Sequence, residues 1–265
     1  MIRDVTFVIV THNHAEYIEE CLRSCTQSLE FVDGEIIVVD NCSTDGTIEL
    51  INKFENQVTI IHNTVRTGFS ANNNQAIRRA QGEYVFILNP DTSFDPHVVK
   101  DLIESAKTIK NLGLLAPQLV YPNGNIQPSC RRFPTLGSFL VRRTPLRLFY
   151  KHSKLNEKHL MYDHTKDGEF KADWVLGACM LVPMDVFDRI GLFDERYFLY
   201  VEDIDLCYRI HQANMDVVYT SRHQIVHRHL AESDHKLLGK KSLHHFKSMI
   251  RFVLKYKLHY NYLGL

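Results

Sequence analysis

The sequence predicts an α/β fold in which a largely parallel sheet is covered by helices on both faces. Four short apolar runs, at residues 5–10, 35–39, 58–61 and 84–88, alternate with segments of helical periodicity. The runs have almost no polar face, which is typical of strands buried on both sides. The alternation of strands with helices requires right-handed crossovers within one sheet. A polar cluster follows the end of each apolar run.

Composition limits the class of protein. The chain has 265 residues, enough for one large α/β domain or for a domain with an appended subdomain. Lys plus Arg and Asp plus Glu number 31 each, so the formal charge is zero, which argues against a nucleic-acid partner held by bulk electrostatics. No apolar run approaches the roughly 20 residues that span a bilayer. If membranes matter, we expect the protein to lie on their surface.

The cysteines indicate a reducing compartment. Six are present without paired CxxC spacing, and no apolar signal segment precedes Val5. We therefore expect reduced thiols in a cytoplasmic protein. Cys21 and Cys25 would share one face of a helix, where without a nearby second pair we expect core residues rather than metal ligands.

The first two strands each lead into a polar loop. Residues 5–10 are followed by Thr11-His12-Asn13-His14, and apolar residues from Ile18 to Cys25 then have helical spacing. Residues 35–39 end at Asp40, and the polar segment 41–47 enters a helix expected to continue through Phe54.

The third and fourth strands lead into polar segments as well. Residues 58–61 precede a glycine-containing segment at 66–75, which enters a helix expected to reach Ala80. Residues 84–88 are followed by Asn89-Pro90-Asp91, a stiff turn that carries a carboxylate just past the strand. The alternative for Asp91 is a cap on the next helix, since aspartate is a favoured N-cap residue.

These clusters predict a ligand site, because the carboxyl ends of parallel strands meet at one edge of a sheet. Asp40 could accept a hydrogen bond from a base N–H or a ribose hydroxyl, and Asp91 could reach a diphosphate through a divalent cation. The chain has no GxGxxG after the first strand and no P-loop motif, which disfavours a dinucleotide oxidoreductase or a P-loop NTPase. The candidate residues at this edge are Thr11, Asn13, Asp40, Arg66, Gly68, Asn89 and Asp91.

Beyond the fourth strand the pattern is less regular. Residues 112–120 predict a further strand, and Asn123-Gly124 predicts a tight turn after it. From 131 to 171 basic and apolar residues interleave. This segment either contacts anionic lipid headgroups or an acceptor diphosphate, or is an ordinary amphipathic surface element. Its basic residues include Arg131, Arg132, Arg142, Arg143, Arg147 and Lys151.

Three further elements are predicted near the carboxyl terminus. Residues 175–182 have the character of a strand, Glu202 and Asp203 open a helix, and residues 216–219 predict a short strand. The acidic residues have a structural alternative, because carboxylates in a first turn favour the helix dipole and cap free N–H groups. A last helix at 240–257 combines an apolar stripe with a basic flank.

Several motifs then carry a family resemblance. They are Thr11-His12-Asn13, residues 40–47, Gly68-Phe69 with Asn73-Asn74, Asn89-Pro90-Asp91, and residues 173–180, 191–195 and 198–209. Together they resemble the family 2 glycosyltransferases of the GT-A fold, most specifically at 198–209. The resemblance covers most of the chain and implies a Rossmann-type mixed sheet flanked by helices. It is strongest to bacterial rhamnosyltransferases of O-antigen and capsule polysaccharide synthesis.

The resemblance also implies roles for residues. Asp203 would be the base that takes the proton from the acceptor hydroxyl, and Glu202 is the alternative base or a ligand of the acceptor hydroxyls. Asp91 and His227 would hold Mg²⁺ or Mn²⁺, with His229 as the alternative histidine. The acceptor-sugar site would include Asp173, Trp174 and Gly177, although a lone tryptophan is most often a core residue.

For substrates, the resemblance implies an inverting hexosyltransferase that uses a nucleotide sugar, foremost dTDP-rhamnose, and a polyprenyl-diphosphate-linked saccharide acceptor. Arg66 stands where the family usually has asparagine, and Asn72 and Ala76 replace frequent glycines, so the donor stays open. A UDP-sugar of galactose, galactofuranose or GlcNAc is the alternative donor. A non-catalytic nucleotide-sugar-binding module is a competing function, and a nucleotidyltransferase would need a stronger basic loop than residues 66–68 supply.

The expected organisation is a GT-A domain at 1–239, with a nucleotide-sugar half at 1–110 and an acceptor and catalytic half at 111–239. Residues 240–265 would form a basic amphipathic helix. That helix either lies in the membrane interface or packs on the domain or on a second subunit of a homodimer, and we favour the membrane. We therefore expect peripheral association with the inner face of the cytoplasmic membrane.

Overall fold

A computed structural model describes residues 3–133, 154–161, 168–228 and 240–256, and their central element is a mixed sheet of nine strands. The strand order is β3-β2-β1-β4-β10-β6-β11-β5, with β8 also paired to β11, and β7 and β9 form a separate two-stranded sheet. The strands are β1 (Arg3–Thr11), β2 (Gly34–Asp40), β3 (Thr59–His62), β4 (Gly82–Leu88), β5 (Thr92–Ser93), β6 (Leu112–Val120), β7 (Cys130–Arg131), β8 (Glu169–Lys171), β9 (Trp174–Val175), β10 (Cys179–Pro183) and β11 (Asp216–His227). The helices are α1 (Ile18–Ser28), α2 (Thr47–Asn52), α3 (Phe69–Ile77), α4 (Val98–Thr108), α5 (Lys154–His159), α6 (Met184–Ile190), α7 (Glu202–Gln212) and α8 (Lys240–Lys255).

The first four strands are parallel neighbours, as the alternating pattern predicts. Thr11 lies opposite Asp40, and Asp40 lies opposite His62, so β1, β2 and β3 end together. The end of β4 joins them because Ile9 pairs with Leu88. The predicted strand-end edge is therefore confirmed, although α2 and α3 end a few residues earlier than expected.

The core lies on both faces of this sheet, because successive side chains of a strand point to opposite sides. Phe7 and Ile9 pack in the cluster that contains α1 and α4. Val8 and Val10 pack in the cluster that contains α3, α6 and α7. Both faces of the sheet are buried, which explains why the strands carry so few polar residues.

The second half of the chain adds strands of both directions. β10 runs antiparallel to β4, so Cys179 lies opposite Leu88 and residues 177–178 reach the same edge. β11 runs parallel to β6 and continues to His227, well beyond the short strand expected at 216–219. The turn after β6 is confirmed, since Gly124 has φ 79° and Val120 bridges Ile126.

The single strand expected at 175–182 is wrong, because the chain changes sheet within it. β9 pairs with β7, whereas β10 joins the central sheet. Between them the amide of Leu176 donates to the carbonyl of Ser129 at 2.8 Å. That bond continues the register of β7 and β9. The amide of Gly177 instead donates to Asp203 Oδ2 at 3.1 Å.

Helix α8 packs on the domain through one face. Ser248, Met249 and Phe252 are buried. The opposite face exposes four large apolar side chains, Leu243, Phe246, Ile250 and Leu254. Across the described ranges, none of the helices combines the length and the apolar character that crossing a bilayer demands.

Two further expectations can be compared with the structure. All six cysteines are free thiols, and Cys21 and Cys25 are fully buried in the core, as expected. Of the basic and apolar segment at 131–171, Arg142, Arg143, Arg147 and Lys151 lie outside the described residues.

Candidate active site

The floor of the site is Asp40 at the end of β2. Its carboxylate is 1% exposed, and Oδ2 accepts a hydrogen bond from the amide of Ser43 at 3.2 Å. Within the described residues Oδ1 has no hydrogen-bond partner. Because a buried polar atom without a partner is costly, Oδ1 is available to accept from a ligand N–H or O–H.

Thr11 and Asn13 shape the loop beside Asp40. Asn13 is left-handed at φ 59°, and its Oδ1 accepts from the amide of Thr44 at 2.8 Å. Thr11 is buried, with its hydroxyl 3.2 Å from His14 Nδ1. The contacts of both side chains are thus largely within the protein, and a direct contact with a nucleotide stays a prediction.

Arg66 and Gly68 lie on the loop that enters α3. Arg66 is exposed and forms no salt bridge within the described part of the chain. Gly68 is packed tightly, because an added Cβ would lie 2.8 Å from both Cα and O of Phe198. The amide of Phe69 also donates to the Phe198 carbonyl at 2.8 Å. Gly68 therefore has a structural reason to be glycine, while the guanidinium of Arg66 is available to an anion.

Asp91 meets His227 where β4 and β11 end. His227 Nε2 lies 3.3 Å from Asp91 Oδ1 and 3.4 Å from Asn89 Nδ2. Burial raises the pKa of Asp91, but the hydrogen bond and the charge of His227 outweigh it and hold that pKa below its usual value. Asp91 does not cap α4, which begins at Val98, so that alternative is wrong. His229 lies outside the described residues.

The imidazole of His227 is oriented by Gln127. Nδ1 lies 2.7 Å from Gln127 Oε1, and both side chains are buried. Because an amide oxygen only accepts, Nδ1 donates its proton, and Nε2 is directed to Asp91. When Nε2 gives up its proton, its lone pair points toward Asp91, the arrangement that a metal-binding histidine requires.

A divalent cation fits this pair as part of a shared coordination sphere. One carboxylate and one imidazole in contact suit Mn²⁺ or Mg²⁺ when a diphosphate supplies further oxygens. No group of three or more histidine, cysteine, aspartate or glutamate side chains that could hold a metal occurs in the described ranges. The protein would therefore provide only part of the ligand set.

Glu202 and Asp203 open α7 and are partly withdrawn from water. Glu202 is 7% exposed, and its Oε2 has no hydrogen-bond partner among the described residues. Burial, followed by the charge of Asp203, raises the pKa of Glu202 to about 8. Burial likewise raises the pKa of Asp203, against hydrogen bonds from the amides of Gly177 at 3.1 Å and Ile204 at 2.8 Å.

These contacts bear on the capping alternative. The N-cap of α7 is Val201, and no side chain makes a capping hydrogen bond there. Asp203 accepts from the next amide of its own turn and from Gly177, which belongs to another part of the chain. Helix capping alone therefore does not explain the pair.

A two-residue connection links the catalytic candidates to the donor edge. The amide of Gly177 donates to Asp203, and the next carbonyl, that of Ala178, accepts from the amide of Asn89 at 2.9 Å. Asn89 in turn contacts His227. The carboxylates of α7 and the Asp91–His227 pair thus lie on the two sides of one short backbone segment.

Asp173 and Trp174 have internal partners. Asp173 Oδ2 accepts from the amide of Phe133 at 2.8 Å. The indole of Trp174 is 5% exposed, donates from Nε1 to the Arg132 carbonyl at 2.9 Å, and has the Arg131 guanidinium 5.1 Å from its ring centroid. Trp174 is therefore a core residue, the alternative that the sequence left open, and its contact with a sugar stays a prediction that this burial does not favour.

Sequence reasoning missed two residues at the site. Gln127 gave no signal, because it lies in a polar stretch without periodicity and meets His227 only through the fold. His14 gave one, because it directly follows the first strand in the motif at 11–14. His14 also contributes to the lowering of the Asp91 pKa.

The chain matches a known family. Residues 6–168 match the family described as Glycosyl transferase family 2. An N-acetylglucosaminyl-diphospho-decaprenol L-rhamnosyltransferase of Mycobacterium tuberculosis is 28% identical over 246 residues, which cover 85% of this chain and 76% of that protein. A rhamnosyltransferase of Escherichia coli K12 is 27% identical over 266 residues, covering 96% of this chain and 94% of the relative.

The fold also has a solved counterpart. A mannosyltransferase from Pyrobaculum calidifontis, in complex with GDP-Man and Mn²⁺, superposes with a TM-score of 0.63 at 19% sequence identity. The match covers 95% of this chain and 65% of that one. At this identity the likeness supports the GT-A fold, with a mostly parallel sheet flanked by helices.

Proposed function

This chain belongs to glycosyl transferase family 2 and is a hexosyltransferase, and we propose that it transfers L-rhamnose from dTDP-rhamnose to a lipid-linked saccharide. The observation that carries the proposal is the backbone segment 177–178, which contacts Asp203 on one side and Asn89 on the other. A general base and a leaving-group site must both lie within reach of one anomeric carbon. A non-catalytic module would have no use for such a base.

Asp203 is the proposed base. It takes the proton from the acceptor hydroxyl while that oxygen attacks the anomeric carbon, and the bond from this carbon to the diphosphate oxygen breaks. Attack opposite the leaving group inverts the configuration of the anomeric carbon. The raised pKa of Asp203 supports its assignment as the base, because a base works best when its pKa approaches the operating pH. With its pKa raised to about 8, Glu202 is protonated at neutral pH and can donate to an acceptor oxygen. Glu202 is also the alternative base.

Asp91 and His227 are the proposed residues for a divalent metal. Bound there, Mn²⁺ or Mg²⁺ would stabilise the negative charge of the departing diphosphate. Gln127 keeps the imidazole of His227 oriented. Arg66 is exposed on the same edge and can contact a phosphate.

Asp40 is the proposed contact to the donor base. Its unpartnered Oδ1 suits the N–H of a pyrimidine ring, which thymine and uracil share. This residue therefore supports a dTDP- or UDP-sugar without distinguishing them. The choice of rhamnose rests on the two rhamnosyltransferase relatives, and UDP-sugars of galactose, galactofuranose or GlcNAc are the alternative.

The proposed organisation is a domain at 1–239 followed by α8. A lipid-linked acceptor would require this enzyme to act at a membrane surface. The outward face of α8 supports this, because Leu243, Phe246, Ile250 and Leu254 are exposed on a helix that contains no acidic residue. Lys247 and Arg251 are exposed beside them. Such a face favours the interface of an anionic bilayer. The competing proposal is that the same face of α8 is buried between the two subunits of a homodimer.

Nucleotide binding tests the donor site. We expect dTDP with Mn²⁺ to raise the melting temperature of the protein more than UDP, GDP or CDP, because a ligand that binds only the folded state stabilises it. A larger shift with UDP would replace the sugar donor, and no shift with any nucleotide would refute the donor site. Asp203→Asn should bind nucleotide normally and lose roughly 10²- to 10⁴-fold in transfer. Transfer at the wild-type rate would reject Asp203 as the base.

Vesicle flotation tests the membrane contact. The wild type should float with phosphatidylglycerol vesicles, and the double variant Leu243→Ser/Ile250→Ser should not. Val65→Ser is the matched control, since Val65 is 71% exposed but lies outside α8. Equal flotation of all three proteins, or of none, would reject the outward face of α8 as the docking surface.

A further inference from the structure

The turn that precedes the catalytic pair has an unfavourable backbone. Tyr200 and Val201 are both left-handed, at φ 68° and 76°, and Glu202 follows directly. A β-branched residue in this region is a genuine outlier. Conformations of this kind persist only where the surrounding structure holds them, and they concentrate at functional sites. We refer to residues 198–201 as the catalytic turn.

The nucleotide-sugar half holds one side of the catalytic turn. The amide of Phe69 donates to the Phe198 carbonyl at 2.8 Å, and Gly68 lacks the Cβ that would prevent this approach. Helix α7 adds a hydrogen bond from the amide of Asp205 to the Val201 carbonyl at 2.8 Å.

Helix α8 holds the other side. Ser248 Oγ donates to the Leu199 carbonyl at 3.1 Å. The ring of His244 stacks on Phe198 with centroids 4.9 Å apart. The ring of His245 lies 5.4 Å from that of Tyr200. Three of the four residues of the catalytic turn are thus contacted by one helix.

The end of α8 is also fixed to α7 by a buried carboxylate. Asp205 is fully buried and accepts from Lys255 Nζ at 2.6 Å, Tyr256 OH at 2.9 Å and Arg209 Nε at 2.9 Å. Lys255 also donates to Asp194 at 2.8 Å. Removing one partner from a buried charge is strongly unfavourable, so Lys255 sets where α8 lies on α7.

We propose that α8 is a positioning element of the active centre, in which Ser248 and Lys255 hold the catalytic turn and thereby aim Glu202 and Asp203. This inference rests on the proposed function and goes beyond a membrane-binding role for the helix. It also revises the division at residue 239, because α8 completes the catalytic half of the domain. Neither positioning residue is expected to contact substrate.

The test compares variants of α8 with a control on α4. Lys255→Met and Ser248→Ala remove contacts to α7 and to the catalytic turn, and Lys255→Arg keeps the charge. Lys100→Met is the matched control, because Lys100 is exposed and lies outside α8. Each protein is assayed well below its melting temperature, with a soluble acceptor, for kcat, donor KM, nucleotide affinity and amide hydrogen exchange of residues 198–206.

We expect Lys255→Met to lower kcat roughly 10- to 100-fold, as a small misplacement of catalytic groups does, with donor KM and nucleotide affinity unchanged. Ser248→Ala should show the same pattern with a smaller loss. Exchange at 198–206 should be faster in both, Lys255→Arg should recover part of kcat, and Lys100→Met should match the wild type.

A lowered melting temperature with wild-type kcat and wild-type exchange in Lys255→Met and Ser248→Ala would overturn the proposal, because that is the result of a purely structural role. Absence of transfer by the wild type with every donor would refute the proposed function instead. The exchange comparison would then still decide whether α8 holds the catalytic turn.

Discussion

Replacement of Glu202 by glutamine should stabilise the folded protein above about pH 7. Near pH 4 it should change the stability little, because the glutamate and the glutamine are then both neutral in the folded protein. Glu202 is buried, one of its oxygens lacks a partner, and Asp203 is adjacent. Glutamine has nearly the same volume but never ionises. The substitution therefore isolates the effect of the buried negative charge on the free energy of unfolding.

The size of the effect follows from the pKa. Burial and Asp203 raise the pKa of Glu202 from 4.5 to about 8, so the folded state keeps a proton that the unfolded state loses. The free energy of unfolding of the wild type must therefore fall as pH rises between these two values. At about 1.4 kcal/mol per pKa unit, the full difference is on the order of 5 kcal/mol above about pH 8.

Urea unfolding between about pH 4 and pH 8 measures this slope, since the extrapolated free energy of unfolding is obtained at each pH. Glu202→Gln should show a flatter dependence on pH than the wild type. Glu104→Gln is the matched control, because Glu104 is exposed on α4 and should leave the slope unchanged. Parallel curves for the wild type and Glu202→Gln would refute the reasoning that Glu202 ionises against its surroundings.

Four further outcomes are expected. Asp91→Asn should abolish the part of nucleotide stabilisation that depends on Mn²⁺. Gln127→Leu should weaken Mn²⁺ binding roughly 10- to 100-fold, because the His227 ring is then no longer held in place. Titration calorimetry with dTDP present measures both effects. Asp40→Asn should weaken dTDP binding by about 10-fold or more, since it removes a charged acceptor, whereas Asp33→Asn at an exposed position should not; equal affinities would remove Asp40 from the base site. Gly68→Ala should destabilise the protein by about 1–3 kcal/mol in urea unfolding, because the new methyl group would lie 2.8 Å from the backbone of Phe198. An unchanged midpoint would contradict that close contact.

The sequence determined the four parallel strands of the first part of the chain and the polar edge at which they end. Parallel strands covered on both faces need apolar runs, and the loops after them are free to be polar, so strands and site residues can both be recognised locally. The positions of Asp40 and Asp91 at this edge were predictable for that reason. The roles of Glu202 and Asp203 came from the family resemblance, because local chemistry also allows two acidic residues to serve a helix end.

The tertiary structure alone decided how distant residues meet. Gln127 and His227 are a hundred positions apart, and no periodicity links an amide to the imidazole that it orients. The break between β9 and β10 depends on a carbonyl and a carboxylate from other parts of the chain. Neither contact leaves a local pattern in the sequence.

Helix α8 shows the same limit most clearly. Its amphipathic pattern predicted a helix with an apolar and a basic side, but not which side packs on the domain. The fold buries Phe252 and pairs Lys255 with Asp205, while Phe246 and Ile250 stay exposed. A helical pattern specifies faces, whereas the partner of each face is set by long-range packing and by the need to neutralise buried charge.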